Sequence, residues 1–99
     1  MSKEKHPYVG RYVISRGERS GVHVGVLTAA SGSTVFLKEA RRLYEWHGAF
    51  TLNGVALYGV KKATMPDPLP EIYISDSCEI IPTSEISERC LRNIQTHKT

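Results

Sequence analysis

The chain has 99 residues, 40% of them hydrophobic and 23% charged, with a formal charge of +3. That length suits one domain and is too short for two, and the balance of apolar and charged residues excludes a disordered chain. The mild positive excess permits an anionic partner but argues against a surface built to neutralise a polynucleotide backbone.

Residues 1–7 read as a tail ending at Pro7. Tyr8 to Arg16, YVGRYVISR, reads as the first strand, with Tyr12 and Ile14 on one side and Arg11, Val13 and Ser15 on the other. Gly17 to Ser20 is a polar loop. Gly21 to Leu27 predicts a second strand, Val22, Val24 and Val26 alternating with His23, Gly25 and Leu27. The glycines thin that second face, which suits close approach of another backbone or a ligand. Ala29 to Ser33 supplies a hairpin turn around Gly32, and Thr34 to Leu37 the third strand. The alternation slips at Lys38-Glu39-Ala40, the mark of a bulge or kink. Arg41 to Trp46 continues as extended chain, an arrangement that puts Arg42, Tyr44 and Trp46 on one face.

Gly48 breaks the run. Thr51 can cap a short helix through about Val60, with Leu52, Val55, Ala56 and Val60 on one side. Pro66, Pro68 and Pro70 make Lys61 to Pro70 a connecting loop. Glu71 to Ser75 and Cys78 to Ile81 are strand-like, interrupted at Asp76-Ser77. Thr83 or Ser84 can then cap a closing helix whose Ile86, Cys90 and Ile94, joined by Leu91, form an apolar stripe; residues 95–99 fray. The sum is α+β in one domain: a small bent antiparallel sheet or open barrel with a short central helix and a C-terminal helix.

Cys78 and Cys90 form no CxxC pair and accompany no regular histidine spacing, so neither a zinc site nor a disulfide framework is expected; they read as reduced thiols, at least one in the core. No apolar run approaches the ~20 residues of a membrane helix, and no apolar segment follows the charged N-terminus, so a cytoplasmic protein is expected. No carboxylate pair, nucleophile–base pair or cofactor motif stands out, and the chain reads as a binding protein, not an enzyme.

Two clusters carry the binding chemistry. Arg41 and Arg42, with Tyr44, Trp46 and His47 close behind, can hold a phosphate and stack a base. Arg16, Ser20 and His23, with Arg11 and Arg19, flank the Gly17 to Ser20 loop, whose amides could cradle an anion. For both clusters the alternative is structural: core aromatics with arginines lying beside them, and a solvated hairpin end.

The segments GRYVISR (Gly10 to Arg16), SGVHVGVL (Ser20 to Leu27), ARRLYEWHGA (Ala40 to Ala49) and EIIP (Glu79 to Pro82) resemble a family of small uncharacterised bacteriophage proteins, over about Gly10 to Thr83. The pattern departs at Tyr44, where that family often has tryptophan. The resemblance implies a phage-encoded accessory protein acting in the host cytoplasm, and it brings no assigned chemistry. By analogy with compact phage proteins that sequester nucleotide signals of bacterial immunity, the expected function is a homo-oligomeric sponge for a small anionic nucleotide. It would use Arg16, His23, Arg41 and Arg42 for phosphates and Tyr44 and Trp46 for the base. The alternatives are a nucleic-acid-binding barrel and a protein–protein inhibitor or structural module.

Overall fold

In the computed structural model, which describes residues 6–49 and 51–95, three antiparallel strands follow one another. These are β1 (Tyr12–Gly17), β2 (Gly21–Ser31) and β3 (Thr34–Arg42). The short β4 (Glu45–His47), helix α1 (Leu52–Tyr58) and β5 (Lys62–Thr64) come next, then β6 (Leu69–Ile74), β7 (Ser77–Pro82) and helix α2 (Glu85–Arg92). The large sheet has the order β6-β3-β2-β1-β7, and β4 pairs β5 in a separate ribbon. The architecture is α+β, with an open, bent antiparallel sheet and no closed barrel.

Only Ser75 and Asp76 separate β6 from β7, yet those strands form opposite edges of the sheet. A two-residue link can join the two edges only if the sheet rolls until they approach at one corner. Ser33 fixes that corner: its hydroxyl donates to the Ser75 carbonyl at 2.9 Å, and its own carbonyl accepts from the Ser77 amide at 2.9 Å.

The bend has a local cause. Val24 faces Arg41 and Val26 faces Lys38, so β3 carries one residue more than β2 over this step. Glu39, with φ +53°, absorbs the bulge at the position where the alternation slips. A compensating extra residue on β2 lies between Leu27 and Ala29. Gly25 lies opposite the β3 bulge, where a Cβ would stand 2.8 Å from the Lys38 carbonyl oxygen; the thin face does admit a close backbone.

Rolling gives the sheet two buried faces. Val13, Leu27, Val35, Leu37, Ala40 and Ile74 fill the inside of the roll. Tyr12, Ile14 and Val24 face outward onto Leu43, Val55, Ala56, Val60, Met65 and Leu91, the apolar side of the helical layer. The helices hold each other by their ends. Val55 O accepts from the Gly59 cap amide at 2.8 Å, and the carbonyls after it have no partner within that helix. Ser87 Oγ donates to Val55 O at 2.6 Å, Ser84 Oγ to Leu57 O at 2.7 Å, and the Ser84 amide to Ala56 O at 2.9 Å. Thr51 and Ser84 are the N-caps, accepting from the amides of Gly54 and Ser87.

Four expectations are corrected. The first strand starts at Tyr12, because residues after Pro7 form turns closed by Val9 N→His6 O and Arg11 N→Tyr8 O. The hairpin turn is tighter than Ala29 to Ser33, since β2 runs on to Ser31. The connecting loop contains a strand, β5, ahead of its prolines. Ile86 is 65% exposed, and the buried pair on α2 is Ser87 and Leu91, because the two serines turn that side toward α1. The expected tails, 1–7 and 95–99, lie largely outside the described residues.

Candidate functional site

Arg41 and Arg42 are successive residues of β3 and so point to opposite faces, and the bulge at Glu39 sets which side each takes. Arg41 turns onto the helical side and is 3% exposed. Its Nε donates to Pro66 O at 2.8 Å, Nη1 to Leu91 O at 3.0 Å and Nη2 to Met65 O at 3.4 Å. A cation on the last carbonyls of a helix is favourable. Arg41 therefore ties β3, the β5–β6 connection and the end of α2 together, and its donors are spent on the fold.

Arg42 turns the other way, beside His23, its partner across β2 and β3. Arg42 Nε donates to His23 Nε2 at 3.2 Å, and the guanidinium carbon lies 5.7 Å from the centre of the Tyr44 ring. His23 is 2% exposed. Burial, and then the charge of Arg42, pull its pKa below the ordinary value of 6.5. Because Nε2 accepts, the neutral ring carries its proton on Nδ1, and that buried atom has no partner among the described residues. Tyr44 is 55% exposed.

Trp46 parts from this group. The chain changes partner at Leu43 and Tyr44, whose amides donate to Val22 O and Thr64 O respectively. Leu43 and Trp46 both pack on the helical-side core, which strict alternation forbids for residues three apart. The expected common face of Arg42, Tyr44 and Trp46 is thus a pair, with the tryptophan facing the interior.

The Gly17 to Ser20 loop already holds an anion of its own. Asp76 Oδ2 accepts from the amides of Arg19 at 2.6 Å and Ser20 at 2.9 Å. The Ser20 hydroxyl, buried nearby but outside good hydrogen-bond geometry, and these amides bring the Asp76 carboxyl down to about 2. Arg16 reaches away to Glu79, with a 2.6 Å ion pair on the surface. Of the seven candidate residues, then, the structure brings His23, Arg42 and Tyr44 together and engages Arg16, Ser20, Arg41 and Trp46 elsewhere.

A second feature escaped the sequence reading. A groove of about 660 Å³ runs along the β4–β5 ribbon, lined by His47, Lys61 and Lys62 at one part, with Glu45, Thr64, Ala63, Ile94 and Gln95 completing it. Its only advance signs were Gly48 and the Lys61-Lys62 pair. A smaller cavity, about 370 Å³, opens beside Tyr12, Arg11 and Arg92. There Arg92 is already paired with Glu39 and Glu88, and burial pushes the Tyr12 phenol up to about 12. Among the described residues no group of His, Cys, Asp and Glu side chains is placed to hold a metal ion, and no helix is long and apolar enough to cross a membrane.

Residues 10–91 match the family model of a domain of unknown function, DUF6948. The chain belongs to this family. Neither a curated protein nor a solved structure matches it. The match spans the strands, both described clusters, the ribbon and nearly all of α2, so the Arg42–His23 contact and the lysine-rich part of the groove both lie within the family domain.

Proposed function

We propose that this chain is a non-catalytic binding protein that captures a small anionic nucleotide at Arg42 and Tyr44. One observation carries the reading. His23 holds Arg42 by Nε alone, while neither terminal nitrogen of the guanidinium has a hydrogen-bond partner among the described residues, beside an aromatic ring more than half exposed. A guanidinium fixed by one nitrogen and open at two is set to grip a phosphate, and an exposed ring next to it can stack a base. The resemblance to small phage proteins supports a phage-encoded accessory role in the host cytoplasm, where such a protein would sequester a nucleotide signal of immunity. Exposed Leu57, Tyr58 and Ile86 support self-association.

The test is calorimetric titration of the wild type and of Arg42→Ala with a panel of cyclic and linear nucleotides. The expected result is binding of at least one nucleotide, weakened roughly ten- to a hundred-fold by the substitution. A wild type that binds no member of the panel, or a folded Arg42→Ala variant that binds as well as wild type, overturns the reading.

A further inference from the structure

We propose that the groove on the β4–β5 ribbon is a separate site for a small phosphate monoester, independent of Arg42 and Tyr44. Successive residues of a strand point to opposite faces, so two adjacent lysines should not both reach one groove. Here they do, because Lys61 precedes β5 and folds in against the turn after β4. Its amide donates to the His47 carbonyl at 2.7 Å. Gly48 makes this possible: its φ is +96°, and a Cβ there would stand 2.6 Å from Lys61 Cγ and 2.7 Å from Lys61 N. The backbone is shaped to set Lys61 beside Lys62, and Lys62 lies directly across the ribbon from His47.

Among the described residues neither lysine has an ion pair or a side-chain hydrogen bond, whereas Arg16 and Arg92, also exposed, are paired with Glu79 and with Glu39 and Glu88. The volume, about 660 Å³, suits a small ligand. Carbonyls at the end of α2 would oppose an anion, but they are occupied. Arg41 and the Ile94 amide take Leu91 O, the Asn93 amide takes Cys90 O, and Asn93 Nδ2 takes Arg89 O. Away from the lysines, Glu45 faces Thr64 across the ribbon. That part of the groove accepts hydrogen bonds, which suits the hydroxyls of a sugar or polyol, while Ala63 and Ile94 offer apolar contact to its carbon skeleton. The ligand is therefore a phosphorylated small polar molecule, its phosphate at the lysines and its hydroxyls toward Glu45.

Ribose 5-phosphate is a suitable probe, titrated into the full chain while backbone amide shifts are followed by NMR, with ribose alone as control. Saturable shifts centred on His47, Gly48, Lys61 and Lys62 are expected with the phosphate ester and not with ribose. The Lys61→Gln, Lys62→Gln double variant should weaken binding about tenfold or more, with Lys38→Gln, which removes an exposed cation of β3 outside both sites, binding within about twofold of wild type. Absence of saturable shifts, shifts centred elsewhere, unchanged affinity in the folded double variant, or a comparable loss in Lys38→Gln would each overturn the proposal. The mapping on wild type stands without any variant.

Discussion

Arg42 Nε donates to His23 Nε2 across the β2–β3 pair, 3.2 Å apart, and that bond selects the tautomer of a buried imidazole. Protonating His23 would convert an acceptor into a donor facing a guanidinium. Burial and the Arg42 charge both oppose this, and Asp76 favours it more weakly. The folded pKa is lowered, so below about 6.5 the unfolded chain binds the extra proton first. Stability from this contact is complete above the unfolded value and declines as pH falls below it toward the folded value. Thermal melts from pH 8 to 5 should show that decline. A His23→Gln variant, whose carbonyl can still accept from Arg42, should show a flatter profile over this window. An NMR titration of the His23 ring with a midpoint at or above the ordinary value would contradict the account.

Arg41 and Arg42 should separate cleanly in denaturant. Arg41→Ala takes the guanidinium donors from the Pro66 and Met65 carbonyls, leaves Leu91 O with the Ile94 amide, and removes the tie between β3 and α2. The expected loss is about 3 kcal/mol or more, a large share of the stability of so small a domain. Arg42→Ala releases one acceptor and should cost about 1 kcal/mol. Urea midpoints for the two variants check the order, and equal losses would contradict the division of roles.

Asp76 is an internal substitute for a bound anion. Its carboxyl is held at about 2, so its contribution is present above the unfolded value of about 4 and is lost as pH falls through about 2. Asp76→Ala should leave the amides of Arg19 and Ser20 without their acceptor, and their hydrogen exchange should quicken first. The variant's acid-unfolding curve should be flatter than wild type between about pH 4 and 2. Unchanged exchange at both amides would show that the carboxylate does not hold the loop.

Leu57, Tyr58 and Ile86 are 54%, 72% and 65% exposed on the two packed helices. Light scattering at micromolar concentration should report a mass above that of one chain, and Tyr58→Glu should lower it. A monomer mass for the wild type would remove self-association from the functional reading.

The sequence by itself determined the two-faced character of β2, a break in β3 near Glu39, the cap Thr51, a second cap at Thr83 or Ser84, and the α+β class. Each is a local matter: side-chain alternation, a slip in that alternation, or a hydroxyl within reach of its own helix's first amides. What it left open were choices made between segments far apart in the chain. Arg41 and Arg42 are equivalent as a dipeptide; the bulge and the arrival of Leu91, Met65 and Pro66 carbonyls make one a tie and leave the other open. The Gly17 to Ser20 amides look free until Asp76, brought round by the rolled sheet, fills them. Lys61 and Lys62 read as part of a proline-rich loop, because a three-residue strand has too few alternations to register as a pattern. Only pairing with β4 and the positive φ of Gly48 place both lysines on one groove. Periodicity records which way a side chain points from its own backbone; what it meets there depends on contacts that only the closed tertiary structure supplies.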